Sequence, residues 1–254
     1  MLIEYIDSMG DDLAVVNAAR VSFGKRSEWE YCGSTGHSGV DEKILSEKDQ
    51  GLIQFLARGC TSGDWECFKW TFVDCDAYFA PEVEHWMNHI RKMPSHWSPF
   101  AHTAITLHLK MPIFVARQIM KHTTGIEYNE VSRRYVDSEP EFYVPEVWRK
   151  KADNVKQGSS DEDSKYGTIK DYMDTVKFQY TTMLECGVAP EQARMVLPQS
   201  MYTEVIATGN LYAWANMYNQ RTDSHAQKET RDLVLQLGEI IQPLFPVSWK
   251  ALCY

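Results

Sequence analysis

The chain has 254 residues, of which 44% are hydrophobic and 12% aromatic, so it can bury the core of a folded globular protein. Its formal charge of −9 argues against binding to a nucleic-acid polymer, because such binding needs a basic face that displaces counterions from phosphates. No apolar run approaches the roughly 18 residues of a membrane span and the N-terminus lacks a signal-peptide pattern, so we expect a cytoplasmic protein without membrane association.

The first hundred residues predict two helices and an insertion. Residues 9–23 (MGDDLAVVNAARVSF) place apolar side chains at helical spacing after a capping aspartate, which predicts a helix. Residues 24–41 predict a loop, and residues 41–59 predict a helix that glycine ends. Tryptophan-rich residues 60–95 predict a helical insertion, with one helix at 81–91 that begins with proline.

The remainder predicts one clear strand followed by helices. Residues 104–111 alternate strictly between apolar and polar side chains, which predicts a half-buried strand, and Pro112 then begins a helix that leads to His122. Residues 151–167 predict a surface loop because they are poor in apolar side chains. Three helical regions follow, at about 168–186, 190–198 and, in two or more pieces, 203–242.

The segment QIMKHTTGIEYNEVSRRY, residues 118–135, concentrates cations next to polar and aromatic side chains. Lys121, Arg133 and Arg134 crowd like charges together, and a guanidinium group can hold phosphate through two parallel hydrogen bonds. This density indicates a phosphate-binding site.

Two further arginines lie in apolar sequence surroundings. Arg194 lies within ARMVLP, and Arg221 follows a helix whose Trp214, Met217 and Tyr218 we expect to be buried. A buried arginine needs a partner, which is either an internal carboxylate or a ligand phosphate. Considered together with Arg134, these residues favour an anion site.

Several ordered motifs resemble the flavin-dependent thymidylate synthases. They are MGDDLAVVNAARVSF, HWSPFAHT, PIFVARQ, NEVSRRY, ARMVLP and RTDSHAQKE, and together they cover most of the chain outside residues 24–40 and 60–94. The resemblance implies an α+β fold, with a central mixed or antiparallel sheet flanked by helices, and a single domain over residues 1–254 with its insertion at about 60–95. It also implies a homotetramer with shared active sites.

The resemblance further implies reductive methylation of deoxyuridylate (dUMP) to dTMP. FAD would be the flavin, 5,10-methylenetetrahydrofolate the carbon donor and NADPH the reductant. The matched positions imply contacts to dUMP at Gln118, Lys121, Glu130, Val131, Ser132, Arg133, Arg134, Arg194 and Arg221. They imply contacts to FAD at Ser98, Lys121, His122, Thr123, Glu130, Asn210, Tyr212 and Asn216.

The chain departs from the family pattern mainly on the flavin side. Lys121, Thr123 and Tyr212 replace arginines, Ala101 replaces a glutamate, and the stretch from His122 to Ser132 has one extra residue. The substrate side is nearly intact.

The residue types also bear on the chemistry of methylation. None of the six cysteines follows a proline, so the thiolate route of the usual thymidylate synthase is unsupported. The resemblance instead gives Arg221 the catalytic role of stabilising charge that develops on the pyrimidine, by the logic of an oxyanion hole. We interpret Ser132 as a hydrogen-bond donor to phosphate or ribose.

Alternative interpretations remain for several features. His85 and His89 have the spacing of a two-histidine metal site, but a solvated helix face is favoured, and the six cysteines show no zinc spacing; we therefore predict no metal. His225 is either catalytic or a helix cap near Asp223, and the tryptophans at 65, 70, 86 and 97 form either a stacking platform or the core of the insertion. The alternatives for function are a deoxyuridylate hydroxymethylase and a non-catalytic nucleotide-binding relative.

Overall fold

The chain divides into two units, each built from three stretches of sequence. The computed structural model describes residues 1–32, 42–58, 96–153 and 158–253. The first unit comprises Met1–Asp7, Thr106–Gly209 and Met217–Gly238; the second comprises Ser8–Ile105, Asn210–Asn216 and Glu239–Tyr254. The predicted insertion at 60–95, with its histidines at 85 and 89 and its tryptophans at 65, 70 and 86, lies outside the described residues. A single domain over residues 1–254 stays a prediction.

A four-stranded sheet in the order β1-β4-β8-β5 contributes the strands of the first unit. Its strands are β1 (Leu2–Met9), β4 (Ala104–Pro112), β5 (Ile126–Glu130) and β8 (Tyr202–Gly209), and β5 runs antiparallel to β8. Side chains of β4 alternate between buried and half-buried, because Ile105, Leu107 and Leu109 face the core. This confirms the strand predicted from alternation, and the α+β prediction holds.

Among its described residues, the first unit also contains one hairpin and five α-helices; α6 and α7 each run on into residues that belong to the second unit. The short strands β6 (Arg149–Lys151) and β7 (Ser159–Asp163) pair antiparallel. The helices are α3 (Ile113–Ile119), α4 (Lys170–Glu185), α5 (Pro190–Ala193), α6 (Leu211–Arg221) and α7 (Lys228–Ile241).

The second unit contains α1 (Asp12–Arg20), α2 (Glu47–Arg58), α8 (Pro246–Leu252) and a small antiparallel pair, β2 (Glu30–Cys32) and β3 (Glu42–Ile44). The predicted cap of α1 is confirmed, because the Asp11 carboxylate accepts a hydrogen bond from Ala14 N at 2.8 Å. No helix among the described residues combines the length and apolar character needed to cross a bilayer.

Four sequence predictions were wrong in secondary structure. The predicted loop at 24–41 contains strand β2, Glu30–Cys32. Residues 202–209 form strand β8 instead of the start of a helix, with Thr203, Val205 and Ala207 on the buried face. The predicted loop at 151–167 contains most of the β6–β7 hairpin. The helix predicted for 41–59 begins only at Glu47, after the short strand β3.

A buried ion pair joins α1 to α2 in the second unit. The Asp49 carboxylate is 3% exposed and accepts hydrogen bonds from the Arg20 guanidinium and from the hydroxyls of Ser27 and Ser46, both at 2.9 Å. Burial alone would raise the pKa of Asp49, but these hydrogen bonds hold that pKa below its ordinary value. The ionised carboxylate therefore stabilises the fold.

We predict that Asp49→Asn lowers the free energy of unfolding at pH 7 by about 3 kcal/mol, because Arg20 would be left without its carboxylate. Urea unfolding of the variant and of a Glu28→Gln control, which changes an exposed carboxylate, measures this. Since the folded-state pKa is depressed, the stabilisation is present above about pH 4 and is lost as pH falls through the folded pKa. The difference in the free energy of unfolding between wild type and variant should become smaller on acidification. A difference that stays constant would contradict the assignment.

Candidate functional site

Four arginines line one cavity in the first unit, which we name the arginine cavity. It has a volume of about 460 Å³, and its polar lining includes Glu130, Ser132 and Thr203 beside the guanidinium groups of Arg117, Arg133, Arg134 and Arg194. Val131 also lines it. The predicted cations at 133, 134 and 194 therefore surround a single space.

Helix α3 supplies the fourth of these arginines. It begins directly after Pro112 and buries Val115, Ala116 and Ile119, so Arg117 is left on the exposed side. Sequence reasoning missed Arg117, although it stands within the PIFVARQ motif. The signal that could have identified Arg117 is that it is the single charged residue of a mostly apolar helix.

A tight turn after β5 fixes the next two arginines. Val131 N donates to Glu204 O at 2.9 Å, and Ser132 O then accepts from Tyr135 N and Val136 N at 3.2 and 3.1 Å. Arg134 Nε lies 3.1 Å from Ser132 Oγ, and one terminal nitrogen lies 2.6 Å from the Tyr135 hydroxyl. Arg133 donates to the carbonyl of Ser138. All of these acceptors are uncharged.

Within the described part of the chain, none of the four arginines forms an ion pair. Arg194 Nε donates only to its own helix, at 3.3 Å from Glu191 O. Glu130, the carboxylate of the cavity, accepts from Thr203 Oγ1 at 2.7 Å. The expectation that Arg194 is enclosed by apolar residues was wrong, because Arg194 is exposed and its neighbour Met195 is 80% exposed. The arginines therefore face solvent and the cavity without a direct ion pair in the described part of the chain.

Arg221 lies in a second cluster of the first unit, at the C-terminal end of α6. Its Nε donates to His122 Nε2 at 2.9 Å and a terminal nitrogen donates to Gln118 O at 3.1 Å. Trp214 and Met217 on α6 are buried as predicted, whereas Tyr218 is half-buried. A Cβ on Gly238 of α7 would stand 2.5 Å from Tyr218 Cε2, so glycine allows the two helices to approach here.

His122 is an acceptor in this arrangement, which requires a neutral imidazole with its Nε2 unprotonated. Burial, followed by the positive charge of Arg221, lowers the pKa of His122 from its ordinary value. The Tyr128 hydroxyl donates to the carbonyl of His122 at 2.9 Å and to that of Ile119 at 3.2 Å, and so holds the turn. Sequence reasoning missed Tyr128. Lys121 and Thr123, on either side of His122, are exposed.

The predicted convergence of three arginines is therefore partial. Arg134 and Arg194 line the arginine cavity, while Arg221 does not line it and contacts α3 instead. Helix α3 joins the two clusters, because Arg117 lines the cavity and the next residue, Gln118, accepts from Arg221. None of the three is paired with an acid among the residues described.

The second unit contains a cavity of about 790 Å³ that is lined by Ser98, one of the predicted flavin residues. Phe55 and His96 stack there with ring centroids 5.2 Å apart, and Lys25 and Lys48 add two cations. Aromatic faces beside cations suit a flavin ring and its phosphates. The residues present therefore fit that cofactor.

The other predicted flavin residues of the second unit lie on α6. Asn210 Oδ1 caps the helix by accepting from Ala213 N at 2.9 Å. The Tyr212 ring lies against Trp97 with centroids 6.0 Å apart, and Asn216 is half-buried. In this structure, Asn210 has a structural role as a helix cap.

The histidine considered as catalytic, His225, is exposed and pairs with Asp223. Its backbone N–H and Nδ1 lie 2.8 and 2.9 Å from Asp223 Oδ1, which forms a local turn before α7. No group of three or more metal-ligating side chains occurs in the described ranges. Cys186 and Cys253 are free cysteines.

Comparison with known proteins identifies the family. The family described as thymidylate synthase complementing protein matches residues 2–247. The flavin-dependent thymidylate synthase of Thermosipho africanus is 34% identical over 97% of this chain and 88% of its own, and that of a Thermus thermophilus strain is 32% identical over 98% and 74%. Two crystal structures of the UMP/dUMP methylase PolB from Streptomyces cacaoi are 26% identical in sequence over 98% of this chain. The complex with 5-Br UMP has a TM-score of 0.68, and the match covers 92% of its chain. The complex with 5-Br dUMP has a TM-score of 0.63, and the match covers 93% of its chain.

The fold is that of an α+β methyltransferase. The chain belongs to the flavin-dependent thymidylate synthase family, and the resemblance drawn from its motifs is confirmed. Flavin is the cofactor class that the names of these relatives carry.

We predict that His122 titrates below its ordinary pKa of about 6.5 and that Arg221→Gln moves its midpoint upward. Removal of the guanidinium charge makes protonation of the imidazole easier, although burial continues to oppose it. Ring-proton NMR as a function of pH measures both midpoints. A midpoint that does not move in the variant would contradict the electrostatic coupling.

Proposed function

We propose that this enzyme methylates dUMP to dTMP in a flavin-dependent reaction, with 5,10-methylenetetrahydrofolate as the carbon donor and NADPH as the reductant. The observation that carries the proposal is the arginine cavity, whose four guanidinium groups have no acid partner among the described residues. Like charges held this close favour an anionic ligand. The names of the relatives add the pyrimidine nucleotide.

The phosphate of dUMP binds to the arginine cavity in this proposal. Arg134 and Arg194 are its main ligands, Arg117 and Arg133 add charge, and the Ser132 hydroxyl donates a further hydrogen bond. Arginine side chains suit phosphate because their planar donors match two of its oxygens. Glu130 and Val131 complete the nucleotide contacts, and Lys121 adds a cation from the preceding turn.

Arg221 is the catalytic residue of the proposal. It has five N–H donors, and its two hydrogen bonds among the described residues, to His122 and to the Gln118 carbonyl, leave three for a substrate. A fixed guanidinium beside a pyrimidine carbonyl stabilises negative charge that develops on the ring when C5 becomes nucleophilic. His122 and Gln118 hold this cation in place, so little reorganisation is needed during the reaction.

The flavin, when bound, supplies hydride for the reductive step. In the second unit we assign its contacts to Ser98, Asn210, Tyr212 and Asn216, and the cations of the Ser98 cavity suit its phosphates. In the first unit we assign contacts to Lys121, His122, Thr123 and Glu130.

The folate donor, NADPH and a homotetrameric assembly belong to the same proposal. They follow from family membership, as does a cytoplasmic location. A deoxyuridylate hydroxymethylase would use the same residues, because water need only intercept the methylene intermediate. The product distinguishes the two reactions.

We predict that the purified protein with FAD, NADPH and methylenetetrahydrofolate converts dUMP to dTMP, and that Arg221→Ala lowers kcat by about 100-fold or more. Mass spectrometry of the nucleotide product measures both, with Arg231→Ala as the matched control, because Arg231 donates to the Ser224 carbonyl and lines neither cavity.

A hydroxymethylated product would assign the alternative reaction. Absence of any product, together with a purified protein that binds no flavin, would reduce the chain to a nucleotide-binding relative. Near-normal turnover by a folded Arg221→Ala variant would remove Arg221 from the catalytic role.

A further inference from the structure

A chain of side-chain hydrogen bonds in the first unit ends at Gln118, whose backbone carbonyl accepts from Arg221. It begins at Glu229, which is 6% exposed, and both of its carboxylate oxygens accept from one terminal nitrogen of Arg149, at 2.8 and 3.0 Å. Arg149 is itself fixed by a bond from Nε to Ser159 Oγ at 2.7 Å, across the β6–β7 hairpin. Burial would raise the pKa of Glu229, but the Glu229 backbone N–H and Arg149 hold that pKa below its ordinary value. Glu229 is therefore ionised at neutral pH and can only accept hydrogen bonds.

Gln227 is the next residue in this series of hydrogen bonds, and its contact with Glu229 sets the orientation of its amide. Its Nε2 lies 3.0 Å from Glu229 Oε2. Because an ionised carboxylate has no proton to donate, the NH₂ group of Gln227 must face Glu229. The amide oxygen of Gln227 consequently faces the opposite way, toward Gln118.

Gln118 is oriented by the same reasoning. Its Nε2 donates to Gln227 Oε1 at 2.7 Å and to the backbone carbonyl of Phe114 at 3.3 Å. Both protons of the amide are therefore engaged, and both partners are pure acceptors in these bonds. The Gln118 Oε1 accepts no hydrogen bond from any described residue, so this acceptor is available to a ligand, and the backbone carbonyl of the same residue accepts from Arg221.

We propose that Gln118 reads the N3–H of a uracil base, and that Glu229, acting through Gln227, fixes the Gln118 amide with its oxygen toward that base. This inference rests on the proposed function, and it names the feature that selects uracil over cytosine. Gln227 and Glu229 are positioning residues, since they act through Gln118.

The pattern of donors and acceptors on the two bases explains the selection. Uracil presents a donor at N3 between two carbonyl acceptors, so it matches an amide oxygen beside a guanidinium group. Cytosine presents an acceptor at N3 and an amino group at C4. Gln118 Oε1 would then face a lone pair, and the unmade hydrogen bond disfavours the cytosine nucleotide.

The test reverses the amide and measures base selectivity. Gln227→Lys places a donor-only ammonium between Glu229 and Gln118, so that Gln118 Oε1 turns toward the lysine and its NH₂ group turns toward the base. Isothermal titration of dUMP and of dCMP gives the ratio of dissociation constants for wild type and variant. Gln236→Lys on α7 is the matched control, because the Gln236 amide donates only to the Asp232 carbonyl of its own helix.

We expect wild type and Gln236→Lys to prefer dUMP over dCMP by the same ratio, and Gln227→Lys to lower that ratio about tenfold or more. Gln227→Leu, which orients nothing, should give an intermediate ratio. If Gln227 had only a structural role, Gln227→Lys would weaken the binding of dUMP and of dCMP by the same factor. The wild-type ratio in folded Gln227→Lys, or equal binding of both nucleotides by wild type, would overturn the relay and leave dUMP methylation standing. Failure of wild type to bind dUMP would instead overturn the proposed function.

Discussion

The arginine cavity is the constraint on which the account depends. Four guanidinium groups share about 460 Å³, and among the described residues the hydrogen bonds of Arg133, Arg134 and Arg194 all go to uncharged oxygens. Glu130 lines the same cavity but accepts from Thr203 and forms no ion pair with these arginines among the described residues, so the repulsion between the guanidinium groups is relieved mainly by solvent, salt or an anionic ligand. The protein has a net charge of −9 and therefore many carboxylates. Among the described residues none of them forms an ion pair with these four arginines, which favours a ligand as their partner.

Helix α3 links the phosphate region to the base region of the proposed site. Pro112 fixes where the helix begins, and its buried face of Val115, Ala116 and Ile119 fixes its rotation. In the proposed complex, two consecutive side chains, Arg117 and Gln118, contact different ends of one nucleotide. The Gln118 carbonyl holds Arg221, and the Gln118 amide is set by the relay from Glu229.

The elements that could be predicted from the sequence are those with a clear periodic spacing of apolar side chains. Strand β4 and helix α1 have large apolar side chains at their characteristic periods, and the structure agrees. Strand β8 was missed because Thr203, Ala207 and Gly209 fill its buried positions, so its alternation is weak in hydrophobicity although clear in burial. Strand β7, SSDED, carries no apolar signal at all. For the candidate site, the motifs indicated the arginines but not their partners: Arg117 and the Glu229–Gln227–Gln118 relay depend on contacts between segments about 80 to 110 residues apart, which local patterns do not specify.

The most direct measurement compares the affinities of dUMP and deoxyuridine by isothermal titration at low and high salt. The account predicts that dUMP binds at least about 100-fold more tightly, because two or more charge-assisted bonds to phosphate contribute about 1.5–3 kcal/mol each, and that the advantage falls in high salt and in Arg194→Gln. Equal affinity for the nucleoside and the nucleotide would contradict it, since the arginine cavity would then hold no phosphate.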